Sequence, residues 1–196
     1  MKESSKDVTG IILAGGKSSR MGTDKGFIKY RSKYFITHII EAMEPIVRDI
    51  IIVSDCADYD IFNKQRVEDE IKNAGPLAGV YTGLKHTRTA YNLIVSCDVP
   101  LIKTAVLTKL LEQRTEEAQV IQLQGENKTM PLLALYKKEC EQKCLELLER
   151  GERRMKVAIA EFKTKTIEIE KEEWLRSMMN VNTPEDLKNI SHGIDD

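Results

Sequence analysis

Short apolar runs alternate with amphipathic stretches along the chain. Apolar runs predict buried strands, and an alternation of polar and apolar residues at 163–170 predicts a half-exposed strand. The apolar runs cover Val8–Leu13, Asp49–Val53, 93–96, 118–123 and 131–136, and 66–69 is a candidate for one more.

Helical patterns fall between these strands. Apolar residues recur with helical spacing in 34–47, and the Gly-Pro pair that opens 75–86 is a favoured helix start. Near the end of the chain, Thr183 is predicted to cap a helix that has Pro184 in its first position. Further helices are predicted at 104–113 and 137–149. Strands that alternate with helices indicate an α/β domain with a mostly parallel sheet flanked by helices. With no linker or repeat, we expect one domain over 1–196.

Composition excludes several classes of protein. Among 196 residues 31% are charged, and no apolar run reaches the length of a membrane span. The formal net charge of −1 gives no global field that would attract nucleic acid. The polar N-terminus lacks the apolar stretch of a signal peptide, so we expect a cytoplasmic location. Cys140 and Cys144 lie on one face of a predicted helix, where buried thiols are favoured over a metal site.

A glycine-rich, basic segment follows the first strand directly. In "LAGGKSSRMGTDKG", Gly15 and Gly16 let backbone N–H groups approach an anion, and Lys17, Arg20 and Lys25 add positive charge. The alternative is a glycine turn with solvated cations. The spacing fits neither the Walker loop nor the dinucleotide fingerprint G-x-G-x-x-G. We therefore expect a nucleoside triphosphate loop of another kind, at the carboxyl end of a strand where ligands of such sheets bind.

Asp98 follows the apolar run 93–96 and precedes Pro100, which limits further strand pairing. A carboxylate in this position is suited to Mg²⁺, because Mg²⁺ favours one or two carboxylates together with substrate phosphates. The alternative is that Asp98 caps the next helix, a role that Thr104 can also fill.

The motifs together resemble the molybdenum cofactor guanylyltransferases, whose signature is L-A-G-G-x-S-x-R-M-G-x-D-K. Further matches extend over nearly the full chain at "VEDEIKNAGPLAG", "SCDVP", "GERRMKV" and "NVNTPEDL". The resemblance implies a Rossmann-like nucleotidyltransferase fold. It also implies transfer of GMP from GTP to the terminal phosphate of molybdenum-loaded molybdopterin, with release of pyrophosphate and with Mg²⁺ as cofactor.

The resemblance also assigns residues. Arg20, Lys25 and Asp98 are expected to be catalytic, with Asp98 as the metal ligand. The expected nucleotide-binding residues are Leu13, Ala14, Gly15, Gly16, Lys25, Ser54, Asp69, Gly75 and Asp98. Asp69 suits either the donors of guanine or the ribose hydroxyls. Ser54 and Met130 stand where the family commonly has Asn and His.

The expected acceptor-binding residues are Arg153, Arg154, Asn180 and Asn182. For the arginines, the alternative is a solvated basic helix start. The substrates implied are GTP and molybdenum-molybdopterin, with transient contacts to proteins that donate or receive the cofactor. Alternative functions are cytidylyl transfer to the same cofactor, nucleotidyl transfer to a sugar phosphate, and a nucleotide-binding cofactor carrier without catalysis.

Overall fold

The computed structural model describes residues 7–15 and 24–192, and its central feature is a twisted sheet of seven strands. In the described residues, the strands of this sheet are β1 (Val8–Leu13), β4 (Asp49–Val53), β5 (Gln65–Val67), β6 (Tyr91–Ser96), β7 (Val120–Gly125), β8 (Lys128–Lys137) and β9 (Thr164–Glu168). A separate two-stranded ribbon pairs β2 (Lys29–Tyr30) with β3 (Lys33–Tyr34).

The strand order is β5-β4-β1-β6-β8-β7-β9. Neighbouring strands are parallel except at β8, which runs antiparallel to both β6 and β7. The predicted mostly parallel sheet is confirmed. The two runs predicted at 118–123 and 131–136 form a hairpin, whose turn places Glu126 and Asn127 in the left-handed region with φ of 50° and 62°.

The helices in the described part of the chain are α1 (Phe35–Met43), α2 (Pro76–Lys85), α3 (Thr104–Glu112), α4 (Cys140–Glu149), α5 (Met155–Ala160), α6 (Glu172–Ser177) and α7 (Pro184–His192). The helix predicted at 34–47 ends earlier, at Met43, and turns lead from there to β4. The helix predicted at 137–149 begins at Cys140, because β8 continues to Lys137. Helix α6 has no counterpart in the sequence prediction.

Two apolar layers cover the two faces of the sheet. One joins the sheet to α1 and α3, and the other joins it to α2, α4 and α5. Cys140 and Cys144 are fully buried in the second layer, which confirms their prediction as buried thiols. A third, smaller cluster of Ile28, Tyr30, Phe35, Val181 and Ile190 connects the segment after Lys25 to α7. None of the helices described is long and apolar enough to span a bilayer.

Candidate active site

Three loops emerge together at the carboxyl edge of the parallel strands. Leu13, at the end of β1, is paired with Val53 of β4 on one side and with Ser96 of β6 on the other. The backbone continues this register, because Ala14 N donates to Val53 O and Cys97 N donates to Leu13 O, each at 3.0 Å. The segments that carry Gly15, Asp55 and Asp98 therefore begin side by side, as expected for a ligand site in such a sheet.

One of the cavities at this edge is a cleft of about 610 Å³ beside the start of α2. Its walls include Leu13, Gly15, Asp55, Asp69 and Gly75. Gly75 precedes α2 with φ of +74°, a backbone conformation that side chains with a Cβ rarely adopt, and Pro76 then opens the helix. Four residues that the family resemblance assigns to the nucleotide thus share one cavity wall: Leu13, Gly15, Asp69 and Gly75.

Asp69 lines this cleft and has a carboxylate oxygen that accepts no hydrogen bond from the described residues. Its Oδ1 is buried and has no hydrogen-bond partner among the described residues. Burial, and then the nearby charge of Asp55, raise the pKa of the Asp69 carboxyl, while Lys72 acts in the opposite direction. Burying a carboxylate oxygen costs free energy unless a hydrogen-bond donor replaces the water that it loses. No described protein group donates to Asp69 Oδ1, so a ligand would have to supply this donor. The cleft therefore suits a ligand that carries N–H or O–H groups.

Ser54 has a different setting from the other assigned residues. Its side chain is buried, its Oγ accepts a hydrogen bond from Cys56 N at 3.2 Å, and its carbonyl accepts one from Arg66. Ser54 thus closes the turn after β4, and the residue of this loop that lines the cleft is Asp55. Ala14 is also buried, so its side chain offers nothing to a ligand. A nucleotide contact of either residue stays a prediction.

Lys25, Asp98, Asn180 and Asn182 meet at a second point of the same edge. Lys25 Nζ lies 3.7 Å from Asp98 Oδ2 and donates a hydrogen bond to Asn182 Oδ1. Asn180 Nδ2 donates to Asp98 Oδ2 at 3.0 Å, and Val181 N donates to Asp98 O at 2.7 Å. The loop 180–182 therefore holds the Lys25–Asp98 pair. We assigned both asparagines to the acceptor, and their observed contacts are with the catalytic candidates.

The start of α7 fixes this loop in turn. Asp186 accepts hydrogen bonds from Asn182 N at 2.8 Å and Thr183 N at 2.9 Å, and Thr183 Oγ1 accepts one from Asp186 N. This reciprocal arrangement is a capping box, and it confirms Thr183 as the predicted N-cap. The donated hydrogen bonds lower the pKa of Asp186, with a smaller contribution from Lys25.

Asp98 leaves one oxygen for a ligand. Its Oδ1 is buried and, within the described ranges, has no hydrogen-bond partner. The helix-capping alternative for Asp98 is wrong, because the N-cap of α3 is Lys103 and no side chain caps that helix. The hydroxyl of Thr104 donates to Ala42 O instead. A single carboxylate with an unpaired oxygen fits Mg²⁺, which favours one or two carboxylates together with substrate phosphates.

The position of Lys25 depends on residues that the sequence analysis did not single out. Asp24 Oδ1 accepts hydrogen bonds from Gly26 N at 3.1 Å and from the hydroxyl of Tyr59, and it caps the short 3₁₀ helix Lys25–Phe27. Tyr59 is fully buried, and a Cβ on Gly26 would lie 2.1 Å from its hydroxyl oxygen. Asp24 follows a basic, glycine-rich stretch of the sequence, and this position is a local signal for its role. The distant Tyr59 carries no such signal.

Arg153 and Arg154 lie just before α5, on the exposed surface. Arg153 Nη1 donates to Leu148 O at the end of α4 at 2.8 Å. Arg154 makes a two-pronged pair with Glu152, whose pKa falls to about 2 mainly because of this partner. The backbone carbonyl of Arg153 lies near Gly75, which puts this segment beside the cleft. Both guanidiniums have protein partners here, so binding of an acceptor phosphate stays a prediction.

Gly16 and Arg20, together with Lys17, lie outside the described residues. Their predicted roles in binding the triphosphate therefore stay predictions.

Comparison with known proteins gives consistent matches over most of the chain. Residues 10–164 match the model of the MobA-like NTP transferase domain. A relative from Flavobacterium johnsoniae, named "Probable molybdenum cofactor guanylyltransferase", is 36% identical over 184 residues, which cover 94% of this chain and 96% of the relative. A protein of the same name from Clostridium perfringens is 32% identical over 186 residues, covering 91% and 93%.

Solved structures share the fold. The crystal structure of molybdopterin-guanine dinucleotide biosynthesis protein A from Archaeoglobus fulgidus superposes with a TM-score of 0.80 at 23% identity, covering 93% of this chain and 96% of that one. This likeness supports the Rossmann-like nucleotidyltransferase fold expected from the sequence.

Proposed function

The chain belongs to the MobA-like NTP transferase family, and we propose that it transfers GMP from GTP to the terminal phosphate of molybdenum-loaded molybdopterin. The observation that carries this proposal is the convergence of Lys25 and Asp98, 3.7 Å apart, beside a cleft that contains the unpaired carboxylate oxygen of Asp69. Relatives that are 36% and 32% identical bear the name of this activity.

In the proposed reaction, an oxygen of the acceptor phosphate attacks the α-phosphorus of GTP. The bond from that phosphorus to the oxygen bridging to the β-phosphate breaks, and pyrophosphate leaves with the bond electrons. A phosphate monoester is largely ionised near neutral pH, so the nucleophile needs no protein base. Catalysis then depends on alignment and on neutralising charge.

Different residues of the site would align the substrates and neutralise charge. The ammonium of Lys25, held by Asn182, neutralises charge on the phosphate oxygens. Asp98 would hold Mg²⁺, since its Oδ1 has no hydrogen-bond partner among the described residues, while Asn180 donates to the other carboxylate oxygen. A bound Mg²⁺ would supply positive charge to the phosphates. Gly16 and Arg20 would add contacts to the triphosphate.

Asp69 gives the cleft a preference among nucleotides. Guanine presents N1–H and a 2-amino group as adjacent donors, which a single carboxylate can accept together, and the ribose hydroxyls are the other donors within its chemistry. We assign Asp69 to the nucleotide on the strength of its unpaired oxygen in the cleft wall. Leu13, Gly15 and Gly75 would shape the space for the base.

Calorimetric titration with Mg-GTP, Mg-ATP and Mg-CTP, followed by a pyrophosphate-release assay with the loaded acceptor, tests the proposal. We expect tighter binding of GTP and GMP transfer to the acceptor. Preference for CTP would indicate cytidylyl transfer, turnover with a sugar phosphate alone would indicate a sugar nucleotidyltransferase, and nucleotide binding without any transfer would indicate a carrier. Each of these outcomes contradicts guanylyl transfer.

We place the reaction in the cytoplasm, in one domain over 1–196, with transient contacts to the proteins that deliver the loaded pterin and receive the product. The near-neutral net charge supports partners other than nucleic acid or a membrane surface.

A further inference from the structure

A second cavity, of about 250 Å³, adjoins the nucleotide cleft. Pro76 and Leu132 line both cavities, so they form the wall between them. Asp98 and Asn180 line the second cavity as well, and they belong to the cluster around Lys25. The second cavity therefore reaches the cluster around Lys25 and adjoins the nucleotide cleft.

The first half of β8 creates this cavity. β8 pairs with β6 only up to Leu133, which lies opposite Val95, so the preceding residues extend beyond the carboxyl edge of β6. The register with β7 is also interrupted: Ala134 pairs with Gln122, but the next pair is Met130 with Leu123. Such a bulge redirects side chains, and bulges recur beside active sites.

The bulge is held from inside the sheet. The hydroxyl of fully buried Tyr136 donates to Pro131 O at 2.7 Å, which satisfies a carbonyl that the broken register leaves free. Pro131 itself has no N–H to offer to a neighbouring strand. The wall over Asp98 is therefore a fixed part of the fold.

The cavity wall is mainly apolar, with flexible thioethers on two sides. Met130 comes from the bulged strand and Met155 from the first position of α5, while Pro76 and Leu132 close the side towards the nucleotide. Methionine adapts to irregular shapes and makes favourable sulfur contacts with aromatic rings. Such a wall suits a flat fused ring better than a phosphate, because it offers few charged donors.

From this arrangement we propose that the Met130–Met155 cavity binds the fused pterin ring of the acceptor. The ring lies between the two methionines, and its phosphate points to Asp98 and Lys25, where the α-phosphate of the nucleotide also arrives. This inference rests on the proposed function, since it takes the acceptor from there. It assigns the two ends of the acceptor to different groups: the ring to the methionines and the phosphate to the transfer centre.

Kinetics of Met130→Gln test the ring site, because glutamine keeps the length of the side chain and loses the thioether. We expect the KM for molybdenum-molybdopterin to rise about two- to twelvefold, the range that one sulfur–ring contact represents, with kcat and GTP affinity unchanged. The control is Met179→Gln, at a methionine that is 43% exposed and lies outside this cavity. An unchanged acceptor KM in Met130→Gln, or an equal effect in the control, would overturn the inference.

A second measurement separates failure of this inference from failure of the proposed function. Hydroxyl-radical footprinting of the wild-type protein with GTP and a phosphorylated pterin should slow oxidation of Met130 and leave Met179 unchanged. Protection of Met130 without GMP transfer would support the pterin site and contradict the guanylyl transfer. Transfer without protection would support the function and contradict the site.

Discussion

Lys25 Nζ lies 3.7 Å from Asp98 Oδ2, although Lys25 begins a short 3₁₀ helix after β1 and Asp98 follows β6. Both side chains are largely buried, with 23% and 14% of their surfaces exposed, and a shared loop, 180–182, bonds to each of them. The pair is thus positioned before substrate arrives, which lowers the cost of organising charge in the reaction.

Lys25→Ala should slow GMP transfer by a factor of about 10²–10³, the usual cost of one well-placed charge-stabilising donor. The fold should persist, because Lys25 belongs to no apolar cluster of the core. Turnover measured beside circular dichroism checks both parts. Lys25→Arg is the control for charge alone. Turnover near that of the wild type in Lys25→Ala would remove Lys25 from the mechanism.

Asp98→Asn should slow turnover at least as much, with a raised Mg²⁺ requirement as its distinguishing sign. Asparagine can still accept the hydrogen bond from Asn180 but carries no charge for the metal. GMP transfer across a Mg²⁺ titration is the measurement. Normal turnover of this variant at low Mg²⁺ would mean that another group holds the metal.

Tyr59→Phe should impair the site through Lys25 without touching substrate. The change removes one of the two donors to Asp24 among the described residues, and Asp24 caps the Lys25 segment. We expect a loss of about 1.5–3 kcal/mol in the free energy of unfolding, as for a hydrogen bond to a charged group.

The kinetic signature of Tyr59→Phe should be a lower kcat with a nearly unchanged KM for GTP, because Lys25 is misplaced while the cleft is intact. Tyr34→Phe is the matched control, since the Tyr34 ring also packs on Phe27. Equal effects of the two variants on kcat would reduce Tyr59 to a packing role.

Changes at Arg153 and Arg154 should affect binding of the acceptor, whereas changes at Lys25 and Asp98 should affect turnover. Changing both to alanine should raise the KM for the acceptor and leave GTP affinity unchanged. Arg153→Ala alone should also lower the free energy of unfolding, by about 0.5–1.5 kcal/mol, because its bond to Leu148 O at the end of α4 is lost. Acceptor kinetics and thermal unfolding of the single and double variants check this. Unchanged acceptor kinetics in the double variant would return both arginines to a surface role.

Local patterns predicted much of the fold from the sequence. The bounds of β1 and β4 follow from short apolar runs, and the cap at Thr183 follows from its side chain and Pro184. A ligand site at the carboxyl end of β1 was expected from the parallel sheet. Features that depend on distant contacts were not predictable in this way. The antiparallel course of β8, its bulge, and the bond from Tyr59 to Asp24 join residues whose pairing no local pattern specifies.

Within the candidate site, too, local patterns were predictable and contacts between distant residues were not. Asp98 was singled out because it follows a recognisable strand, whereas Asp69 was assigned from the family resemblance. The burial of Ser54 was not foreseen, since it depends on the hydrogen bond to Cys56 and on Arg66, which reaches over from β5. Asp55 has the same local context as Ser54, and the turn geometry decides which of the two faces the cleft.

Asp69→Asn should stabilise the ligand-free protein and weaken GTP binding. Burial raises the pKa of the Asp69 carboxyl, so the folded state holds its proton more tightly than the unfolded chain. Stability from this group is therefore greatest at low pH and is lost as pH rises from the unfolded value of 3.8 through the raised folded value. Above the raised pKa the buried, ionised Asp69 lowers the stability of the folded state, so Asp69→Asn should raise the melting temperature there.

Nucleotide binding should have the opposite pH dependence, because the ligand's donors need the ionised carboxylate. GTP affinity should fall as pH drops through the raised pKa of Asp69, at a higher pH than for an ordinary aspartate. Calorimetric titrations of wild type and Asp69→Asn across this range are the measurement, with Asp55→Asn as control for the neighbouring charge. In Asp69→Asn the affinity should be low and nearly independent of pH. A wild-type slope that persists in Asp69→Asn would assign the titration, and the donor recognition, to another residue.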